Sequence, residues 1–108
     1  MTKHEAVGVD IGGTGIKAGL VDLERGLLIS ERVRVSTPAG AKPADVLAAV
    51  RQVLDTLGVA DQRISLGVAF PAIVKHGRTM SAANVSDDWI GFEAEKFFED
   101  GLARDIAF

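Results

Sequence analysis

At 108 residues, 47% hydrophobic and 25% charged, the chain is long enough for one domain with a real core and too apolar for disorder. Its formal net charge is -3 with no basic face or arginine run, which argues against a nucleic-acid partner, and no apolar run approaches the ~20 residues that span a bilayer. Cysteine is absent, which excludes disulfides and thiolate metal sites here and fits a reducing cytoplasm, and Met1-Thr2-Lys3-His4-Glu5 leads straight into a strand pattern, leaving no room for a signal peptide.

Residues 6–11 predict the first strand, because Val7, Val9 and Ile11 alternate with Gly8 and Asp10. The apolar side chains take one face and the carboxylate the other. Gly12-Gly13-Thr14-Gly15 predicts a tight turn, and residues 16–22 a second strand. Residues 22–26 predict another turn, with Gly26 supplying an unusual φ. Residues 27–35 read as a third strand, and connections this short give an antiparallel meander. Residues 36–40 break the pattern. A helix then starts at Pro43, carries Val46, Leu47, Val50, Val53, Leu54 and Leu57 on one stripe, and stops at Gly58.

Residues 64–70 predict a fourth strand, with small Ser65, Gly67 and Ala69 on a face open to close approach, and Pro71 ends it. Residues 73–80 form a short excursion turning at His76-Gly77, and residues 84–90 read as irregular. Residues 92–102 carry a weaker helical stripe of Ala94, Phe97, Phe98 and Leu102, and residues 105–108 open a fifth strand. Helices between the third and fourth strands, and between the fourth and fifth, imply parallel pairing by right-handed crossovers. The expected fold is an α/β layer, an antiparallel meander continued by parallel strands with covering helices.

The glycine turn is where chemistry is expected. Gly12, Gly13 and Gly15 around Thr14 leave no bulk between a ligand and the backbone N–H groups, so the turn can hold phosphate oxygens. A carboxylate at its rim can hold magnesium directly or through water. The pattern is not a Walker A loop, which needs four residues between a glycine and Gly-Lys-Ser/Thr. Gly13 to Ala18 matches a dinucleotide pattern ending in alanine, but that motif opens a helix, and a strand follows here. A plain β-hairpin whose glycines serve only positive φ angles stays open on the local pattern.

The order of elements, with Asp-Ile-Gly-Gly-Thr-Gly-Ile-Lys at positions 10–17, resembles the amino-terminal lobe of the sugar-kinase/actin/Hsp70 superfamily, a ribonuclease H-like fold. Within it, the chain resembles the ROK family of repressors, open reading frames and sugar kinases. Val68-Ala69-Phe70-Pro71-Ala72-Ile73-Val74, followed by Gly77, is similar to that family's segment after the fourth strand. Ser-Ala-Ala-Asn-Val-Ser-Asp-Asp-Trp-Ile-Gly at positions 81–91 is similar to the segment of actinobacterial polyphosphate glucokinases.

The resemblance implies that residues 1–108 are the first of two lobes enclosing sugar and phosphoryl donor. It implies magnesium-dependent phosphorylation of glucose, with mannose as a second sugar, at the 6-hydroxyl, using polyphosphate or ATP. The catalytic base, an aspartate in an Asn-Asp pair, would lie beyond Phe108, so the fragment alone is expected to be inactive. A cytoplasmic homodimer, held mainly through the other lobe, is expected. The alternatives are an ATP-only ROK glucokinase, a sugar-sensing ROK regulator without catalysis, and an actin-like filament module.

The same resemblance assigns roles by residue. Asp10 would orient magnesium on the transferred phosphate, or else cap its own turn. Gly12, Gly13 and Thr14 would contact donor phosphate through backbone N–H and the Thr14 hydroxyl, while Gly15 serves the turn. Lys17 would neutralise donor charge, or else be a solvated strand lysine. Pro71 and Ala72 sit where the family's backbone approaches the sugar, or else end the strand and space it. Asn84 would bond a pair of sugar hydroxyls. Trp89 is expected as a core anchor, Asp87 and Asp88 as solvated loop acids, and His4 and His76 as exposed residues without metal spacing. The net acidic balance argues against a broad polyanion face in this lobe.

Overall fold

A computed structural model of the chain describes residues 5–59, 64–71, 74–81 and 85–108. Strands β1 (Glu5–Ile11) and β2 (Gly15–Asp22) form an antiparallel hairpin in which Gly8 pairs with Gly19, Asp10 with Lys17 and Ile11 with Ile16. The two-residue period sends Val7, Val9, Ile11, Ile16 and Ala18 to one face, where all are buried. Gly8, Asp10, Lys17 and Gly19 take the other face. At the far end of β2, Gly26 has φ 68° and its N–H donates to the Asp22 carbonyl at 2.8 Å, as expected of that turn.

The expected third strand is interrupted. Strands β3 (Leu27–Leu28) and β4 (Val33–Ser36) both pair antiparallel with β2, β3 against Asp22 and Val21, β4 against Ala18, Lys17, Ile16 and Gly15. Between them Ser30 substitutes for the ladder. Its hydroxyl accepts from the Leu20 N–H at 2.8 Å and donates to the Glu31 carbonyl at 3.0 Å. A side chain satisfies the backbone donor, so the chain leaves strand geometry without orphaning it.

Helix α1 (Pro43–Leu57) begins with proline at its first turn, where no N–H partner is needed, and ends at Gly58 with φ 82°. The Val59 N–H reaches back to the Leu54 carbonyl at 3.1 Å and closes the cap. Strand β5 (Ser65–Ala69) then pairs parallel with β1, Gly67 beside Gly8 and Ala69 beside Asp10. The short hairpin of β6 (Val74–Lys75) and β7 (Arg78–Thr79) turns through His76 and Gly77, both at positive φ, which is the backbone a two-residue turn between twisted strands requires. His76 is exposed. The stretch expected to be irregular contains one short turn of 3-10 helix, Asp87–Trp89, capped by the Ser86 hydroxyl accepting from the Asp88 N–H at 3.1 Å. Asp87 and Asp88 are exposed, as expected.

Helix α2 (Ala94–Leu102) leads to Ala107, which extends the sheet beyond β5. The Ala107 N–H donates to the Leu66 carbonyl at 2.9 Å, and its own carbonyl accepts from the Val68 N–H at 2.8 Å, in a parallel bridge to Gly67. The sheet therefore runs from β3 and β4 through β2, β1 and β5 to residue 107, which is the expected meander with its parallel extension.

One apolar cluster joins the buried face of the sheet to Val46, Leu47, Val50, Val53 and Leu54 of α1 and to Ala94 and Phe98 of α2. Both helices thus cover one face, and Asp10 stands on the other. All five phenylalanines and the single tryptophan form one linked set of rings in this layer, with Trp89 against Phe70 at 4.3 Å, Phe92 at 5.5 Å and Phe98 at 5.9 Å between centroids. Leu54 is 2% exposed at the centre of α1. Leu54→Ala should cost about 2–5 kcal/mol, read as a lower urea midpoint with an unchanged slope.

Candidate functional site

The site lies where β1 and β5 end. These strands are parallel, so their carboxyl ends meet at one edge of the sheet, the position where open α/β sheets accept ligands. Asp10 stands there beside Ala69. Pro71, half-buried, follows two residues beyond that row. Ala72 and Asn84, the other two expected sugar contacts, lie outside the described residues, as does His4.

The glycine turn is a closed hairpin. The Gly12 N–H donates to the Gly15 carbonyl at 2.9 Å. That bond occupies one of the three backbone donors expected for phosphate, and it does so because the loop is only as long as residues 12–15. Among the described residues the Gly13 and Thr14 N–H groups make no hydrogen bond, so they remain able to take an anion. Neither Gly12 nor Gly15 has a positive φ. Their lack of a side chain serves close approach instead. A Cβ on Gly12 would lie 2.9 Å from the Gly15 carbonyl oxygen, a backbone atom, and one on Gly15 would lie 2.5 Å from Arg34 Nε. The hairpin alternative is therefore right about the turn and wrong about the reason for these two glycines.

Two residues that the local pattern does not single out hold the turn from β4 and beyond. The Thr37 hydroxyl donates to the Gly12 carbonyl at 2.6 Å and the Thr37 N–H to the Thr14 carbonyl at 3.2 Å. Arg34 Nη2 donates to the Thr14 carbonyl at 3.1 Å. These bonds tie the Gly12 and Thr14 carbonyls to β4 and the residue after it. The only sequence signal for these contacts is that residues 33–36 continue a meander; the register that sets Ser36 beside Gly15 is a tertiary outcome.

Asp10 is exposed and, among the described residues, accepts no hydrogen bond and joins no ion pair, even though Lys17 is its cross-strand neighbour. The carboxylate does not cap the turn. A single unengaged carboxylate beside free backbone N–H groups fits magnesium, which usually takes one or two carboxylates and fills its other positions with phosphate oxygens and water. The described residues contain no group of three or more His, Asp or Glu able to hold a metal by themselves.

On the face of Asp10 the described residues line a groove of about 630 Å³. Backbone is accessible in it at Gly8 and Gly67, while Gly19 lies beneath the Leu28 side chain. Gly19, Gly8 and Gly67 lie side by side on three adjacent strands, and Ala107 continues the row. Asp10, Lys17 and Ala69 form the next row, with Arg32 on the edge. Trp89 is fully buried beneath the opposite face, its indole N–H donating to the Ala41 carbonyl at 2.8 Å, so it is a core anchor as expected. No helix of the described residues is long and apolar enough to cross a membrane.

Comparison with known proteins agrees with this architecture. The ROK family profile matches residues 6–107. The polyphosphate glucokinase of Mycobacterium tuberculosis (strain ATCC 25177 / H37Ra) is 42% identical over 93 residues, which is 86% of this chain and 34% of that protein. This chain spans about a third of the length of the curated relatives it matches. The structure of the inorganic polyphosphate/ATP-glucomannokinase from Arthrobacter sp. strain KM superimposes with TM-score 0.87 at 40% identity, covering 96% of this chain and 43% of that one. A ROK family glucokinase from Streptomyces griseus, in complex with glucose and AMPPNP, gives TM-score 0.71 at 25% identity over 95% of this chain and 32% of that one. The fold is thus the actin/hexokinase-like one expected from the sequence.

Proposed function

This chain belongs to the ROK family, and we propose that it forms the amino-terminal, donor-binding lobe of a two-lobe glucokinase that uses inorganic polyphosphate and ATP. The observation that carries the reading is the pairing of an unengaged Asp10 carboxylate with the free Gly13 and Thr14 N–H groups at the carboxyl ends of β1 and β5. The similarity to a polyphosphate glucokinase and to a polyphosphate/ATP-glucomannokinase supports the choice of donors and sugar.

In this reading the terminal phosphate of the donor rests on the Gly13 and Thr14 N–H groups and the Thr14 hydroxyl, and Lys17 offsets its charge. Gly12 keeps the turn closed and narrow. Asp10 would hold magnesium, which supplies neutralisation of the charge on the transferred group when bound. The glucose 6-hydroxyl attacks the terminal phosphorus, the bridging P–O bond breaks, and the shortened donor leaves. A base from the second lobe takes the hydroxyl proton. Little covalent help is needed, because positioning and charge stabilisation dominate phosphoryl transfer. Pro71, Ala72 and Asn84 are assigned to the sugar, with mannose as a second substrate. The absence of cysteine supports a cytoplasmic site of action, and a homodimer held through the other lobe completes the reading.

The test is sugar phosphorylation by the full-length protein with magnesium, comparing polyphosphate and ATP at equal phosphoryl concentration and glucose against mannose. Turnover of glucose with both donors is expected. Turnover with ATP alone would keep the kinase and remove polyphosphate. Turnover with neither, together with glucose binding, would indicate a sugar sensor.

A further inference from the structure

We propose that Lys17, Arg34 and Arg32 form a cationic track that holds the phosphate chain behind the transferred group, and that this track favours an extended polyphosphate over a nucleotide. The inference rests on the donor site proposed above and extends it along the sheet.

Lys17 and Arg34 are directly opposite each other on β2 and β4. Like charges in that position destabilise a strand pair, and among the described residues neither is compensated by an ion pair. The arrangement is one that an anion would relieve. Arg34 is also preset for it. Its guanidinium is anchored by the Thr14 carbonyl and spread over Gly15, where any side chain would displace it. A planar guanidinium fixed in this way presents its remaining N–H groups to phosphate oxygens with little further ordering.

Arg32 lies two residues earlier on the same edge and lines the groove together with Lys17 and Asp10. Asp10 is the single acidic side chain among the residues lining that groove. The cations therefore run from the glycine turn, past Lys17 and Arg34, to Arg32, on a chain whose net charge is negative. A short donor reaches the turn, Lys17 and Arg34. A long polyphosphate also reaches Arg32, and the benefit should grow with its length.

The test uses the full-length protein and measures equilibrium binding of linear polyphosphates of several lengths and of ATP, in the wild type and in Arg32→Gln, Arg34→Gln and Arg34→Lys. Thermal unfolding of each variant checks the fold. Arg32→Gln touches no internal bond and is expected to weaken long polyphosphate about fivefold, the scale of one exposed charge contact, while tripolyphosphate and ATP change less than twofold. Arg34→Gln should weaken long polyphosphate more than Arg34→Lys, and the salt dependence of binding should fall in both glutamine variants. Unchanged polyphosphate binding in Arg32→Gln and Arg34→Gln would overturn the track, as would equal losses for ATP and long polyphosphate in Arg32→Gln. A wild type that phosphorylates glucose from ATP but binds no polyphosphate sinks the track and spares the kinase. Arginine-dependent polyphosphate binding without any sugar phosphorylation spares the track and sinks the kinase.

Discussion

Asp10→Ala in the full-length protein is expected to slow glucose phosphorylation by about 10²-fold or more, the scale of losing one preorganised charge-stabilising group, while leaving the thermal midpoint nearly unchanged. The two halves of this expectation have separate causes. Asp10 ends β1 on the face opposite the helices, is exposed, and makes no bond or ion pair among the described residues. Its side chain therefore contributes little to folding. Its place beside Lys17, two residues before the turn, suits a carboxylate that acts only when donor and cation are present. Asp10→Asn preserves size and removes the charge, so it should lose nearly as much. Steady-state rates at saturating sugar, with a melting curve for each variant, make the check. Activity within a factor of two of wild type would remove the metal role. A fall in activity that follows a fall in stability would assign Asp10 to the turn instead.

Trp89→Ala is expected to produce the largest loss of stability, about 3–5 kcal/mol. Folded domains are stable by only about 5–15 kcal/mol, so this variant should be largely unfolded at modest urea. Trp89 is completely buried and touches three of the five phenylalanines. Its indole N–H also satisfies the carbonyl of Ala41, a residue held at φ 44° just before α1. Trp89→Phe keeps most of the apolar contact and strands that carbonyl, so it should cost about 1–3 kcal/mol. Far-UV circular dichroism is the suitable probe, because Trp89 is the only tryptophan. A loss below 1 kcal/mol for Trp89→Ala would mean that the aromatic layer repacks and that the residue is not its anchor.

The two expectations differ in how far they could be read along the chain. The aspartate before three glycines is a local arrangement, visible in neighbouring residues. So are the alternation of Val7, Val9 and Ile11, the stripe of α1 between Pro43 and Gly58, and the turn at His76-Gly77. Each depends on intrinsic backbone preference or on a short period, and the structure places each as expected.

Other features needed the strands to be set against one another. Ser30 bridges the break in the third strand because its hydroxyl reaches the Leu20 N–H, and Thr37 and Arg34 grip the glycine turn because Ser36 lies level with Gly15. Gly12 is glycine for the nearness of the Gly15 carbonyl and not for its φ. Gly19, Gly8 and Gly67 stand side by side only when three strands lie in register, and Leu28 then covers the first of them. Apart from the break in the third strand, the sequence by itself determined which segments are strands and helices, and which end of the sheet carries the carboxylate and glycines. Tertiary structure alone decided which donors of the turn stay free among the described residues and which cations gather beside it. The reason is that a period is a property of adjacent residues, whereas a register is a relative displacement of segments tens of residues apart, chosen by the packing of the whole layer.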